Sequence, residues 1–192
     1  DDFVANFEWS KVNTVGPIFD LKKLDWLNGH YLRSLTPAEL ADRVVAFALR
    51  SGQWTDVPDA ATVELLRSAV PLVQERLVLL SEALPKLAYL FTADADLMID
   101  PEALAKAGAD ASAVVAAATT ALSGLREWNH ETIQAALREA LVDGLGLKPK
   151  FAFGPVRLAI TGSNVSPPLF ESMELLGRES SLARLVNLQT LL

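Results

Sequence analysis

The sequence has 192 residues, of which 51% are apolar, and a formal net charge of −7. It can therefore bury the core of one large or two small domains, but no apolar run is long enough to cross a bilayer. The lack of cysteine excludes disulfides and thiolate zinc sites, and two histidines, His30 and His130, make a metal site or a histidine-based triad improbable.

The first 35 residues contain one clear helical pattern. Residues 1–10, DDFVANFEWS, are acidic and lack the basic start of a signal peptide. Asp20 is a good N-cap, and the apolar spacing after it predicts a helix that packs Trp26 and Tyr31 in the core. Glycine inside a helix costs about 1 kcal/mol, so Gly29 within this pattern suggests a close approach of another helix.

Residues 36–95 show two further helix starts. The letters TPAE at 36–39 form a capping box with proline at the first helical position, and Gly52 ends that helix. Asp59 begins another helix, which Pro71 interrupts, and a second helix is predicted to run on through Leu77–Leu84. Arg76 lies between these two segments.

An acidic connector over residues 92–97 predicts a domain boundary. Asp94, Asp96 and Asp100 suggest a metal loop, but the glycine and the distal glutamate of an EF-hand are missing. A solvated loop and a helix cap are therefore expected from these carboxylates. Helices are predicted from Asp100 to near Gly108, over the alanine-rich residues 109–122, and from Asn129 to about residue 145.

Residues 155–177 read PVRLAITGSNVSPPLFESMELLG and contain the most informative pattern. An apolar run with one cation, Arg157, is followed by a turn and then by Ser166, whose hydroxyl suits the N-cap of a helix. An arginine, an exposed turn and a helix start so close together suit an anion or a splayed-out base. They also suit an ordinary helical hairpin.

The C-terminal part of the chain is more basic than the rest. Residues 145–192 contain five cations and three carboxylates, so RNA phosphates are expected at this end. Lys148 and Lys150 flank a proline and are predicted to face solvent. Phe151 and Phe153 follow them, and core packing is favoured over base stacking for both rings. A last amphipathic helix closes the chain.

Three motifs resemble one protein family and occur in the family's order. They are P-x-R-x-A-x-T-G followed by S-P-P-L-F-E-x-M-E-L-L-G in residues 155–177, FDLKKLDWLNGHYLR at 19–33, and LPKLAYLF at 84–91. Together they resemble the C-terminal anticodon-binding region of bacterial glutamyl-tRNA synthetases, which are class I aminoacyl-tRNA synthetases. The family's nucleotide-binding signatures, of the K-M-S-K-S and H-I-G-H types, do not occur here.

The resemblance implies an all-α, cage-like fold built of two small helical domains. Residues 1–35 would be the end of the stem-contact domain, residues 36–95 the first anticodon-binding domain, and residues 96–192 the second. The chain is then expected to be a cytoplasmic C-terminal fragment with no catalytic residue, metal or cofactor of its own. ATP and Mg²⁺ would serve the catalytic domain that it lacks. It would bind tRNA-Glu, would not contact a membrane and is expected to be monomeric. Whether tRNA-Gln is a second partner stays open.

The resemblance also implies site residues. Arg76 would contact the third anticodon base, and Arg157 the wobble base or its neighbour. The turn around Ser166, Pro167 and Leu169 would meet the middle and wobble bases. Phe170, the last of this turn, is as well suited to the core as to a base. Candidates for phosphate contacts are Lys148, Lys150 and Arg178.

Each role has a competing interpretation. Arg76 also fits a surface arginine paired with Glu75 or Glu82, which contributes little to stability. The whole chain also fits an acidic helical protein-interaction module with no nucleic-acid role, marked by an exposed apolar patch without clustered cations. A self-contained enzyme is the weaker rival.

Overall fold

The computed structural model describes residues 2–11, 16 and 19–192, and these contain helices and no strand. The predicted all-α class is confirmed. None of the described helices combines the length and apolar character that a bilayer crossing requires. The α-helices are α1 (Asp2–Ala5), α2 (Leu21–Ser34), α3 (Pro37–Ser51), α4 (Ala60–Ala69), α5 (Pro71–Gln74), α6 (Ala83–Leu87), α7 (Pro101–Ala105), α8 (Ala111–Ser123), α9 (His130–Leu137), α10 (Pro149–Thr161), α11 (Leu169–Leu176) and α12 (Arg178–Gln189).

Local capping explains where several helices begin. Thr36 and Glu39 form the predicted capping box at the start of α3, and Gly52 ends α3 in the left-handed conformation. Asp59 and Asn129 accept backbone N–H groups at the starts of α4 and α9. Asp100 caps α7 as expected. A π-helical segment, Arg138–Asp143, continues α9.

The continuous helix predicted through Leu77–Leu84 is wrong. A short 3₁₀ turn over Leu80–Glu82 precedes α6 instead. The backbone groups of Val78 are already bonded elsewhere, because Asn28 donates to its carbonyl and Glu82 accepts from its N–H. The chain therefore leaves α5 by an irregular turn, and Arg76 lies in that turn.

The helix α2 packs differently from the prediction. Trp26 and Tyr31 are not core residues, since they are 64% and 61% exposed. Only the C-terminal part of α2 packs, through buried Gly29 and Leu32. A Cβ at position 29 would lie 3.3 Å from the carbonyl oxygen of Leu77, so the expected close approach at this glycine exists, to the backbone of a turn.

Two hydrophobic cores lie side by side. The first is built from α2 to α6 and the 3₁₀ turn Ala88–Leu90, and the second from α7 to α12. Leu176 packs against both cores. The division of the chain into domains at positions 35 and 95 stays a prediction.

A buried arginine ties the acidic connector to the second core. Arg184 of α12 is 2% exposed. Its guanidinium donates to the carboxylate of Asp94 at 2.6 Å, to the carbonyl of Ile160 at 2.8 Å and to the carbonyl of Thr92 at 2.8 Å. One side chain thus fixes the acidic connector to α10 and α12, and Asp94 is an ion-pair partner besides being a loop residue.

Candidate nucleic-acid interface

The loop between α10 and α11 is held against α10 by Arg157. The Nη1 of this half-buried arginine donates to the Ser166 hydroxyl at 2.5 Å and to the Pro167 carbonyl at 3.0 Å. Within the part of the chain that the structure describes, its Nε and Nη2 have no hydrogen-bond partner. One nitrogen therefore orients the loop, and two remain for a ligand.

Ser166 does not cap α11, and that prediction is wrong. The helix begins at Leu169 with Pro168 at the N-cap and no side-chain cap bond. The Ser166 hydroxyl instead accepts from Arg157 and donates to the Pro167 carbonyl at 2.9 Å. With Pro168 at the N-cap, the helix begins three residues beyond the serine, which leaves this hydroxyl free to bond the arginine.

The start of this loop requires a glycine. Gly162 ends α10 with φ +74°, where a Cβ would meet the carbonyl of Met98. Its own carbonyl accepts from the Asp100 N–H at 2.8 Å. The loop that carries Ser166 is consequently held against the connector between the two cores.

Arg76 follows α5 beside the first core, Arg157 lies on α10 beside the second, and the positive charge of Arg76 acts on Arg157. The pKa of Arg157 is lowered, first by burial of the guanidinium and then by the positive charge of Arg76. Arg76 is exposed, and within the described residues it makes no ion pair; Glu82 pairs with Lys86 instead, at 3.6 Å. The structure thus brings together the two arginines that the sequence singled out, and their like charges favour an anionic or acceptor-rich ligand between them.

Tyr89 supports the loop, and the sequence pattern did not single it out. Its buried hydroxyl donates to the Ser172 Oγ at 2.7 Å, and Ser172 donates to the Pro168 carbonyl at 2.5 Å. Burial raises the pKa of Tyr89 to about 12, so it stays a neutral donor. The only available signal was its position within the LPKLAYLF motif.

The apolar residues of the loop are mostly turned inward. Leu169 is 3% exposed in the second core, so its side chain is not presented to a ligand. Pro167 is buried as well. Phe170 is half-buried and meets Phe153 edge to face, with ring centroids 5.4 Å apart. Among these residues, part of the Phe170 ring and the backbone of the loop are accessible to a ligand.

The candidates for phosphate contacts divide into two groups. Lys148 and Lys150 are exposed at the start of α10. Arg178 follows α11, one helix length of roughly 12 Å from the loop. Its Nη2 donates to the Leu125 carbonyl at 2.5 Å, and its guanidinium lies 5.5 Å from the ring centre of Trp128. These contacts give Arg178 a structural role in fixing the end of α11.

A histidine–glutamate pair joins α9 to α11. His130 Nδ1 lies 2.7 Å from the Glu174 carboxylate, which also accepts the His130 backbone N–H at 3.2 Å. Bonding to Glu174 raises the pKa of His130, and the charges of Glu174, Glu171 and Glu131 act in the same direction. Protonation of His130 therefore stabilises the packing of α11 on α9.

We expect this contribution to depend on pH. Because the folded pKa lies above the ordinary value of about 6.5, the stabilisation is fully present below that value. It is lost as pH rises through the raised pKa. Replacing Glu174 with glutamine should lower the free energy of unfolding more at pH 5.5 than at pH 8.5, as measured by urea unfolding. An equal loss at both values would contradict the assignment, and Glu127→Gln is the matched control.

Comparison with known proteins identifies a family and several relatives that this chain resembles. Residues 39–188 match the family model described as an anticodon binding domain. The chain is 54% identical to a glutamate–tRNA ligase of Acidothermus cellulolyticus and 50% identical to one of Cutibacterium acnes, in both cases over 96% of its length. It spans only 37% and 38% of the lengths of those relatives.

Solved structures show the same fold. A glutamate tRNA ligase from Elizabethkingia meningosepticum superposes with a TM-score of 0.79 at 22% identity. The match covers 96% of this chain and 35% of that protein. The all-helical arrangement with two cores thus occurs within a much longer chain.

Proposed function

This chain belongs to the anticodon-binding domain family, and from that premise we propose that it recognises the anticodon loop of tRNA-Glu. The observation that carries the proposal is the convergence of Arg76 and Arg157 from two separate cores. Arginine suits this task because its fixed fork of donors can bond two acceptors on one base edge. Anticodon loops suit it because sequence-specific RNA recognition targets bases that can be splayed out.

The contacts around Arg157 support a pre-formed site. The arginine, Ser166 and Pro167 form one hydrogen-bonded unit, and Tyr89 and Ser172 fix the next residue, Pro168. A loop held on both sides loses little conformational freedom when RNA binds, which favours affinity. In this proposal Arg157 contacts a base near the wobble position through Nε and Nη2, and Arg76 contacts the third base.

We further propose that these residues serve a glutamate–tRNA ligase in the cytoplasm, which joins glutamate to tRNA with ATP. The similarity of this chain to glutamate–tRNA ligases supports this. No described residue of this chain is assigned to that chemistry, and we assign it no metal or cofactor. Mixed with ATP, glutamate and tRNA-Glu, the 192-residue chain should therefore form no glutamyl-tRNA. We also propose that the chain is a monomer and that Arg76 distinguishes tRNA-Glu from tRNA-Gln.

The test is a titration of the chain with unmodified tRNA-Glu and with the same tRNA carrying a changed anticodon. Each titration is run at 50 mM and 200 mM salt. We expect a preference for the cognate anticodon that survives at the higher salt, because base contacts depend less on salt than phosphate contacts do. Weak binding that ignores the anticodon and vanishes with salt would reduce the interaction to phosphate attraction and favour the protein-interaction module.

A further inference from the structure

We infer that Lys106, Lys150, Phe151 and Arg157 form a subsite for one nucleotide of single-stranded RNA, beside the two-arginine site. The inference rests on the proposed function, since the nucleotide would belong to the bound anticodon loop. It adds two residues, Lys106 and Phe151, that neither the motifs nor the resemblance assign to RNA.

The subsite is a groove between α7 and α10. Its volume is about 650 Å³, with Lys106 on one side and Lys150 and Arg157 on the other. Small-molecule sites span roughly 300–1,000 Å³, so a nucleotide fits. Among the described residues no carboxylate lines this groove, although the whole chain has a net charge of −7. The three cations therefore make the groove selective for an anion.

An exposed aromatic ring lies among these cations. Phe151 is 61% exposed, whereas Phe153, two positions later on α10, turns inward against Phe170. Residues two apart on a helix face different directions, so one ring serves the core and the other faces the groove. Single exposed apolar residues are common, but a ring surrounded by cations has the composition of a base-stacking platform.

Different side chains of the groove suit the base and the phosphate of the nucleotide. The ring of Phe151 offers a face to any base, and the ammonium groups of Lys106 and Lys150 offer charge to its phosphate. Lys106 pairs with Glu102 at 3.2 Å, but an exposed pair of this kind is weak and a phosphate can replace it. Arg157 borders the groove and also bonds the Ser166 loop, so it connects the subsite with the two-arginine site.

The experiment measures affinity for a hairpin RNA with the anticodon stem and loop of tRNA-Glu, by fluorescence anisotropy at several salt concentrations. Base–aromatic stacking predicts that Phe151→Ala weakens binding about tenfold, whatever the anticodon. Lys150→Gln should flatten the slope of log affinity against log salt by about 0.7, the value for one single-strand phosphate. Phe151→Trp should keep the affinity and add a fluorescence quench on binding that the wild-type chain lacks.

The controls are Val57→Ala, an exposed apolar side chain at 79% exposure outside residues 1–35, and Arg50→Gln, an exposed cation of α3. Both should bind as the wild type does. If the wild type prefers the cognate anticodon while Phe151→Ala and Lys150→Gln bind equally well, the subsite is refuted and the proposed function stands. An equal loss in Val57→Ala also refutes it. If the wild type does not bind the hairpin, the proposed function fails and the subsite with it.

Discussion

Replacing Arg184 with methionine is expected to lower the free energy of unfolding by about 3 kcal/mol, since breaking a buried ion pair on one side costs about 3–5 kcal/mol. The lower end applies because the Asp94 side chain is 29% exposed and keeps some contact with water. The variant also removes the donors that satisfy the carbonyls of Ile160 and Thr92, and a buried acceptor without a donor is destabilising.

Urea unfolding, followed by circular dichroism, measures this loss. Arg43→Met is the matched control: Arg43 is exposed on α3, and surface substitutions usually change stability by less than about 0.5 kcal/mol. Asp94→Asn should lose less than Arg184→Met, because the neutral amide still offers an oxygen to the guanidinium. A loss below about 1 kcal/mol for Arg184→Met would contradict the role of this side chain as the tie between the connector and the second core.

The second large effect is expected on RNA affinity. Arg76→Gln and Arg157→Gln should each weaken binding to the cognate hairpin by about 1–3 kcal/mol, the range for a bidentate base contact. Each change should also relax the preference for the anticodon. The double variant should lose less than the two single losses together, because residues that share one ligand are rarely additive.

Replacing Arg76 should lower the RNA affinity without lowering the free energy of unfolding. This side chain is exposed and lowers the pKa of Arg157 through its like charge, so its removal relieves a repulsion in the free protein. Arg76→Gln is therefore expected to leave the free energy of unfolding unchanged or slightly higher while affinity falls. Such opposed effects are typical of residues kept for function.

Arg50→Gln is the control for both measurements, because Arg50 donates to the Ala46 carbonyl of its own helix at 3.2 Å. If Arg76→Gln and Arg157→Gln both bind the cognate hairpin as tightly as the wild type, neither arginine reads the anticodon. If Arg76→Gln unfolds more easily than Arg50→Gln, Arg76 stabilises the fold and the expected relief of repulsion is wrong.

Much of the helical framework could be predicted because its determinants are local. The capping box at Thr36 and Glu39, the caps Asp59 and Asn129, and the stop at Gly52 act over three or four residues. The predictions that were wrong, by contrast, fall where residues far apart in the sequence form hydrogen bonds. Asn28 donates to the carbonyl of Val78 where a helix was expected, and Arg157 bonds the hydroxyl that was expected to cap α11.

The sequence by itself thus determined the all-helical class and most helix starts, and its resemblance to a family singled out Arg76 and Arg157 as candidates. Only the tertiary structure decided that Arg76 and Arg157 are neighbours, that Tyr89 supports the loop through Ser172, and that Phe151 faces outward while Phe153 packs inward. The physical reason is the sequence separation over which each kind of interaction acts. Helix caps and turns are set by neighbouring residues, whereas the exposure and pairing of a side chain depend on how two separately built cores pack together.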